Sequence, residues 1–256
     1  MEEEFLETAV EAARLAGDVL ESWSKRFSVR EKSPANLVTE ADCASQDAIY
    51  NHIRRRFPEH NFLGEEGLSE TTGKSRYCWV IDPLDGTSNY VHGFPYYAVS
   101  IALEHEAELV LGVIFDPNRD EMFTAVRNQG AQMNGDPITT TDVSDLRNAM
   151  VVASLPVNVR PEHPAVRQFL QVMPHVQTVQ RTGSAALNLA YVGCGRIDAY
   201  WSQSLQPWDM AAGAVIVREA TGIVSRMNGD PLEIRIPDLL SSNGALIHER
   251  LQQLLS

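Results

Sequence analysis

The chain has 256 residues, of which 44% are hydrophobic and 21% are charged, and its formal net charge is −13. This length can bury a sizeable core in one large domain or two joined lobes. The negative charge disfavours a nucleic acid as the main ligand, because two polyanions repel each other. The apolar runs are too short to span a bilayer and the N-terminus is acidic, so neither a membrane protein nor a secreted protein is expected.

Cysteine usage indicates a reducing compartment. The three cysteines, Cys43, Cys78 and Cys194, are odd in number and widely separated. This pattern matches neither a disulfide framework nor a zinc site, so we expect reduced thiols in a cytoplasmic protein.

The first half of the chain predicts two helices followed by strands. An apolar stripe over residues 3–22 predicts an amphipathic helix. After a loop around Lys32 and Pro34, a second helix is predicted to begin near Thr39, which stands at capping-box spacing from Asp42. Strands are then predicted at residues 77–81, 97–103, 109–115 and 121–126, with the second and third paired as an antiparallel hairpin.

The second half alternates strands and helices. Strands are predicted at residues 149–154, 197–201 and 223–226, and helices at 164–173, 184–192 and 207–220. Layers of helix and sheet therefore alternate, which indicates an α+β fold. No linker or low-complexity tract separates the halves. We expect one domain over residues 1–256, composed of two lobes at about 1–145 and 146–256.

The segment WVIDPLDGTSNYVHGFP, residues 79–95, ends an apolar run with two aspartates three positions apart. Pro83 cannot donate a backbone hydrogen bond, so the strand is expected to stop there. Gly86 can adopt a positive φ and lets the backbone approach a ligand. Taken alone, this string is typical of a plain turn.

Two other acidic positions favour a metal site over a plain turn. Glu65 lies in the glycine-flanked segment GEEG, and Asp209 follows Pro207 and Trp208 at the start of an apolar helix. Each alone is explained as a surface residue or a helix cap. Together with Asp82 and Asp85 they supply hard oxygen ligands with no His or Cys pattern beside them, which favours Mg²⁺ or Mn²⁺ over zinc.

Donors for a phosphate group are present as well. The segment Gly183-Ser184-Ala185 precedes a predicted helix and offers backbone amides and a hydroxyl at its N-terminus. The amides of Gly86 and Thr87 could act in the same way. If Asp42 held the Thr87 hydroxyl, the pair could orient and deprotonate a water molecule, although Asp42 is equally well explained as a helix cap.

These motifs, with KSPANLVTEAD at 32–42, GAQMNGDPI at 130–138 and GSAALNLA at 183–190, resemble the inositol monophosphatase family of Mg²⁺-dependent, lithium-sensitive phosphomonoesterases. The resemblance extends over nearly the whole chain in the same order. It implies a layered αβαβα sandwich of the sugar-phosphatase type, commonly a homodimer, that acts on a small phosphate ester with two or three Mg²⁺ ions per site.

The resemblance also implies a role for individual residues. It assigns one metal to Glu65, Asp82 and the carbonyl of Leu84, and a second metal to Asp82, Asp85 and Asp209. It assigns catalysis to Asp42, Thr87 and Glu65. Substrate contacts are implied for Leu84, Asp85, Gly86, Thr87, Gly183, Ser184, Ala185 and Asp209.

One position departs from the family pattern. Members that act on inositol phosphate usually carry a glutamate seven residues before the aspartate of the PWD motif, and this chain has Ser202 there. A serine cannot make the same charge-assisted bond to a polyol hydroxyl. We therefore expect an inositol 1-phosphate-like substrate, with a 3'(2'),5'-bisphosphate nucleotide, fructose 1,6-bisphosphate and histidinol phosphate as alternative substrates. An alternative of another class is an inactive phosphatase fold that serves as a protein-binding module.

Overall fold

The structure, a computed structural model, describes residues 2–24, 26, 28–33 and 36–256, and for residues 29–33 and 36–38 it describes the backbone alone. Its α-helices are α1 (Glu2–Trp23), α2 (Glu40–Arg56), α3 (Thr87–Val91), α4 (Pro164–Val172), α5 (Ala185–Gly193), α6 (Pro207–Glu219) and α7 (Ala245–Leu255). Its strands are β1 (Val29–Ser33), β2 (Asn36–Thr39), β3 (Asn61–Gly64), β4 (Ser69–Glu70), β5 (Tyr77–Asp85), β6 (Ala98–His105), β7 (Glu108–Asp116), β8 (Glu121–Val126), β9 (Ala131–Met133), β10 (Asp136–Ile138), β11 (Met150–Ala153), β12 (Thr178–Gln180), β13 (Ala199–Ser202), β14 (Ile223–Ser225) and β15 (Leu239–Ser242).

Helices and sheets alternate in five layers, which confirms the predicted αβαβα sandwich. An eight-stranded sheet has the order β10-β9-β8-β7-β6-β5-β3-β4, and a five-stranded sheet has the order β12-β11-β13-β15-β14. Helices α1 and α2 pack on the outer face of the large sheet, and α5 and α6 fill the space between the sheets. Helices α4 and α7 cover the outer face of the small sheet.

The first two helices form for the reasons given by the sequence. The predicted stripe of α1 is buried at Phe5, Ala9, Ala13 and Leu20, positions that recur about every four residues on one face of a helix. Helix α2 begins after Thr39, whose side chain accepts hydrogen bonds from backbone amides in the first turn. Both helices were predicted, and both are confirmed.

A close contact between sheet and helix sets the position of α6. Gly112 on β7 lies against the backbone of Ala212, so that a Cβ at position 112 would stand only 2.3 Å from the Ala212 carbonyl oxygen. The absence of a side chain there lets α6 lie directly on the sheet. The Ser100 hydroxyl on β6 also donates to the Trp208 carbonyl at 3.3 Å. These contacts hold the first turn of α6 above the middle of the large sheet.

Two local predictions were wrong. Strand β5 does not end at Pro83 but continues to Asp85, because one extra residue is accommodated as an irregularity in its pairing with β6. The loop predicted around residues 32–34 is largely a hairpin of β1 and β2. Pro34 and the side chain of Lys32 lie outside the described residues.

The described chain has no helix that is both long and apolar enough to cross a membrane. The large sheet ends at Ile138 and the small sheet begins at Met150. Because α5 and α6 pack between the two sheets, the halves share a core. The division into two lobes within one domain stays a prediction.

Candidate active site

The site is built on the bulge at the end of β5. Asp82 pairs with Ser100 and Asp85 pairs with Ala98, so β5 has one residue more than β6 across this interval. The bulge is held by hydrogen bonds from the Leu84 amide to Asp82 Oδ1 at 3.0 Å and from the Ser45 hydroxyl on α2 to the Pro83 carbonyl at 2.8 Å. A bulge re-aims side chains at the point where regular pairing is interrupted.

Three carboxylates meet at this bulge. Asp82, Asp85 and Asp209 each place one oxygen within 4.8 Å of the others, although Asp209 comes from the first turn of α6. Asp82 is 1% exposed and Asp85 is 9% exposed. Among the described side chains, no lysine, arginine or histidine pairs with any of the three. Within the part of the chain that the structure describes, the cluster is therefore a concentration of negative charge with no basic partner.

Burial and mutual repulsion raise the pKa of each carboxyl in this cluster. For Asp82, burial is the main cause, followed by the neighbouring charges of Glu65, Asp85 and Asp209, and the pKa lies well above its ordinary value. Burial also raises the pKa of Asp85 to about 6, although hydrogen bonds lower it in part. Burial and the Asp85 charge raise the pKa of Asp209. A bound cation would remove this repulsion.

The turn after the bulge places Thr87 against α2. Gly86 has φ of +99°, and a Cβ there would lie 3.1 Å from the Tyr96 carbonyl oxygen, so the position requires glycine. Thr87 begins α3 and is within hydrogen-bonding distance of two acceptors, Asp42 Oδ1 at 3.1 Å and the Leu84 carbonyl at 3.2 Å. The predicted contact between Thr87 and Asp42 is thus present.

Asp42 has two simultaneous contacts, one on each carboxylate oxygen. Its Oδ2 accepts hydrogen bonds from the backbone amide of Thr39 at 2.9 Å and from the Thr39 hydroxyl. Its Oδ1 faces Thr87. The capping role and the candidate catalytic role, which the sequence offered as alternatives, are compatible in one residue. Burial raises the pKa of Asp42, which its hydrogen bonds lower in part.

The N-terminus of α5 holds one of the three clustered carboxylates. The Ser184 hydroxyl and the Ala186 amide both donate to Asp85 Oδ2, the latter at 2.7 Å. Ser184 is fully buried, and its hydroxyl proton is already donated to Asp85. The hydroxyl therefore does not face an open phosphate site. Gly183 and Ala185, on either side of it, line the cavity described below.

Helix N-termini therefore converge on the site. In α2 the Asp42 carboxylate accepts from the amide of the capping residue Thr39, α5 donates to Asp85, and in α6 the Asp209 carboxylate accepts from the Gln206 amide at 2.7 Å. The positive end of a helix dipole stabilises a nearby negative charge. Three helix ends thus help to retain a group of buried acids that would otherwise repel each other.

Glu65 lies beside the cluster rather than within it. It is partly buried in the turn after β3, and the three-carboxylate group does not include it. Its charge nevertheless raises the pKa of Asp42 and Asp82, which requires it to be nearby. The turn is fixed by Gln46 on α2, whose side-chain oxygen accepts from the Glu66 amide at 3.1 Å.

A cavity of about 730 Å³ opens above the carboxylates. Asp85 and Asp209 lie at its floor, and its walls come mainly from residues 154–159 and 181–183. Ser202, the position that departs from the family pattern, is fully buried on β13 and does not line this cavity. The cavity can hold a molecule of the size of a sugar phosphate.

Sequence reasoning missed Asn89, which ties the two cavity walls together. Its side-chain amide donates to the Tyr96 carbonyl at 2.7 Å and to the Thr182 carbonyl at 2.9 Å. It also missed Ser154, which lines the cavity and whose hydroxyl lies 2.9 Å from that of the buried Tyr200. Asn89 belongs to the motif at residues 79–95, two residues after Thr87. Its place in that motif was the one sequence feature that could have marked it as a site residue.

The chain resembles known proteins over its whole length. The model of the inositol monophosphatase family matches residues 1–256. An inositol-1-monophosphatase of Synechocystis sp. is 40% identical over 255 residues, covering 98% of this chain and 88% of the relative. A protein named Nus factor SuhB from Pseudomonas aeruginosa is 40% identical over 232 residues, covering 88% of this chain and 86% of the relative.

A solved structure shows the same fold. The extragenic suppressor protein suhB of Bartonella henselae superposes with a TM-score of 0.94 at 35% identity, covering 99% of this chain and 98% of the other. Relatives of this identity and coverage bear names of both kinds, phosphatase and suppressor or Nus factor. The protein is a phosphoric monoester hydrolase by its relatives, and the chain belongs to the inositol monophosphatase family.

Proposed function

We propose that this protein is a Mg²⁺-dependent phosphomonoesterase that hydrolyses a small polyol or sugar phosphate, with inositol 1-phosphate as the first candidate substrate. The observation that carries the proposal is the cluster of buried Asp82 and Asp85 with partly buried Asp209, which no described basic side chain neutralises. Three carboxylates with raised pKa values fit a small divalent cation, and their hard oxygen atoms suit Mg²⁺, with Mn²⁺ as a substitute.

The residues that would hold the ions are those implied by the family resemblance. Glu65, Asp82 and the Leu84 carbonyl would bind one ion, and Asp82, Asp85 and Asp209 would bind a second, with a third ion possible only with further ligands from the substrate. When bound, Mg²⁺ neutralises the phosphate oxygens and stabilises the charge that develops on the leaving oxygen.

Asp42 and Thr87 would act on the attacking water. Thr87 Oγ1 donates to Asp42 Oδ1, which leaves the Thr87 oxygen able to accept a hydrogen bond from a water molecule. As that water attacks phosphorus, its proton passes to Thr87 Oγ1 while the Thr87 proton passes to Asp42 Oδ1. The raised pKa of Asp42, due mainly to burial, makes it a stronger proton acceptor than an exposed aspartate.

The backbone around the site would bind the phosphate group. The amides of Gly86 and Thr87 at the start of α3, and those of Gly183 and Ala185 at the cavity wall, are the candidate donors. Ser184 would act through Asp85 instead of binding phosphate, because its hydroxyl donates to that carboxylate. We further propose that the enzyme works in the cytoplasm as a homodimer, as is common in the family.

A second candidate is a phosphatase of the same superfamily that acts on a nucleotide or sugar bisphosphate. It is supported by Ser202, which is neutral, fully buried and outside the cavity. A polyol hydroxyl in the cavity would have no carboxylate from that position as its acceptor.

Phosphate release from a panel of esters with Mg²⁺ tests the proposal. Asp82→Asn and Asp209→Asn should each lower kcat/KM by more than about 100-fold, since even the loss of residues that only support metal ligands costs about 10- to 100-fold. Asp142→Asn, at an exposed position, is the matched control. Lithium should inhibit the wild type. Wild-type turnover in both cluster variants would contradict the two-metal assignment, and failure to bind Mg²⁺ in calorimetry would favour the protein-binding module.

A further inference from the structure

Two serines stand side by side at one edge of the small sheet. Strand β11 runs parallel to β13 and pairs Ala153 with Trp201. The Ser154 amide continues this ladder by donating a hydrogen bond to the Trp201 carbonyl at 3.1 Å. One step further along the same register, Ser154 therefore lies beside Ser202, the position at which this chain departs from the family pattern.

The two serines differ in what they face. Because side chains alternate along a strand, Ser154 and Ser202 point to the same face of the small sheet as Tyr200, which is the face towards α5 and α6. Ser202 is fully buried and does not line the cavity, whereas Ser154 is partly exposed and lines it. In this chain the cavity therefore meets the hydroxyl of the neighbouring strand, and not the side chain at position 202.

A buried tyrosine holds the Ser154 hydroxyl. Tyr200 is fully buried, and its phenol oxygen lies 2.9 Å from Ser154 Oγ. A buried phenol hydroxyl requires a polar partner, so this contact restricts the rotation of the serine hydroxyl. Burial raises the pKa of Tyr200, which the hydrogen bond with Ser154 lowers in part. The charges of Asp85 and Asp209 raise it further, which requires Tyr200 to lie near the acidic floor of the cavity.

A count of donors and acceptors shows what Ser154 can offer to a molecule in the cavity. A serine hydroxyl has one proton and two lone pairs, and the bond with Tyr200 uses one of these three. If Tyr200 donates, a proton and a lone pair of Ser154 are left, and if Ser154 donates, two lone pairs are left. In both arrangements at least one lone pair of Ser154 can accept a hydrogen bond from a hydroxyl group in the cavity.

We infer that Ser154 is a specificity-determining residue whose hydroxyl accepts a hydrogen bond from one hydroxyl group on the alcohol portion of the substrate. Tyr200 is the positioning residue behind it. A neutral acceptor on β11 then does the work of the carboxylate expected at position 202, and it adds no negative charge beside the acidic floor. This inference rests on the proposed phosphatase activity and adds to it the residue that recognises the alcohol.

Inositol 1-phosphate and its monodeoxy analogues, each lacking one ring hydroxyl, test this inference. The ratio of kcat/KM for the parent ester to that for each analogue measures what the missing hydroxyl contributes. In Ser154→Ala the ratio for one ring carbon should fall by about 3- to 10-fold, the contribution of a hydrogen bond between neutral groups. The ratios for the other carbons should stay within about twofold of the wild type. Because each ratio compares two esters on the same enzyme, a general loss of activity cancels.

Three further variants assign the effect to the hydroxyl and its partner. Ser154→Thr keeps the hydroxyl and should retain most of the ratio at that carbon. Tyr200→Phe keeps the ring but removes the partner of Ser154, so it should lower the same ratio by a smaller factor and leave the others unchanged. Ser144→Ala, at an exposed position outside the cavity, makes the same chemical change as Ser154→Ala and should leave every ratio as in the wild type.

Two results would overturn the inference. One is a set of ratios in Ser154→Ala that equals the wild-type set. The other is an equal fall in all the ratios, which would show that the substitution disturbs the cavity as a whole. A wild-type enzyme that releases no phosphate from inositol 1-phosphate would count against the proposed function and would remove the inference with it. Normal hydrolysis by the wild type beside either of the two results would count against the role of Ser154 alone.

Discussion

The Thr87 hydroxyl lies 3.1 Å from Oδ1 of Asp42, a residue 45 positions earlier in the chain. The other oxygen of that carboxylate accepts from Thr39 and caps α2. One aspartate thus anchors the start of a helix and supports a hydroxyl beside the carboxylate cluster. Because the two contacts use different oxygen atoms, substitutions of the two threonines can separate stability from catalysis.

We predict that Thr87→Val lowers kcat strongly while Thr39→Ala lowers mainly stability. Removal of the Thr87 hydroxyl breaks the proposed proton path, and a general acid–base contribution is typically worth about 10²- to 10⁴-fold in rate. Loss of the Thr39 cap costs about 1 kcal/mol of the free energy of unfolding. Steady-state kinetics and urea denaturation measure both quantities. Thr87→Ser is the control that keeps the hydroxyl, and a Thr87→Val enzyme with wild-type kcat would exclude the path.

The sequence predicted those parts of the site that depend on local patterns. Asp82, Asp85 and Thr87 belong to one continuous motif, and the start of α2 follows from the spacing of Thr39 and Asp42. The bond between Ser184 and Asp85 spans 99 residues, so no local pattern could reveal it. The same holds for the pairing of β5 with β6 beyond Pro83, which only the neighbouring strand makes possible.

Other elements were missed for different reasons. Strand β15 is fully buried and only four residues long, so its sequence shows no alternation to recognise. Helix α7 did carry a signal, because Ile247, Leu251 and Leu255 recur every four residues and are buried against the small sheet. The burial of Ser202 away from the cavity depends on how β13 sits between β11 and β15, which the sequence does not specify.

The contact of Ser184 with Asp85 predicts an effect on metal affinity. Ser184→Ala removes two hydrogen bonds. One is donated by the Ser184 hydroxyl to the Asp85 carboxylate, and the other, which caps α5, is accepted by the hydroxyl oxygen from the Leu187 amide at 3.2 Å. Loss of a partner that orients a ligand typically weakens metal binding by about 10- to 100-fold. The Mg²⁺ concentration that gives half-maximal activity should rise by that factor. Ser184→Thr, which keeps the hydroxyl, should restore most of the affinity, and an unchanged Mg²⁺ dependence in Ser184→Ala would contradict the prediction.

The uncompensated carboxylates predict opposite effects of one substitution with and without metal. In EDTA, Asp82→Asn should raise the free energy of unfolding, because it removes a buried charge that repels Asp85 and Asp209. With Mg²⁺ at about one hundred times its dissociation constant, the wild type should gain about 2.7 kcal/mol. The variant should gain less.

Thermal and urea denaturation with EDTA and with Mg²⁺ measure these differences. The exposed Asp142→Asn variant makes the same chemical change away from the cluster and should behave as the wild type does. If Asp82→Asn destabilised the metal-free protein, the carboxylate would instead be held by favourable contacts within the fold. If Mg²⁺ stabilised the variant as much as the wild type, Asp82 would not be a ligand.

His248 predicts a loss of stability in mild acid, far from the proposed chemistry. Its ring is 5% exposed on α7, with Nε2 2.8 Å from the Ser225 hydroxyl and Nδ1 2.9 Å from the Ser242 hydroxyl. Burial lowers the pKa of His248 from its usual 6.5 to about 4. The unfolded chain therefore binds a proton at a higher pH than the folded protein does. Stability should fall as the pH decreases from 6.5 towards 4, by at most about 3 kcal/mol from this residue.

The contribution of His248 is obtained by difference, because other groups also titrate in this range. The free energy of unfolding, measured in urea between pH 7 and pH 4, should depend less on pH in His248→Gln than in the wild type. His175→Gln, at an exposed position, is the control and should follow the wild-type curve. In NMR titrations of the folded protein the His248 ring should remain neutral down to about pH 5. A ring that becomes protonated near pH 6.5, or a variant whose pH dependence equals that of the wild type, would show that the buried contacts with Ser225 and Ser242 do not keep the imidazole neutral.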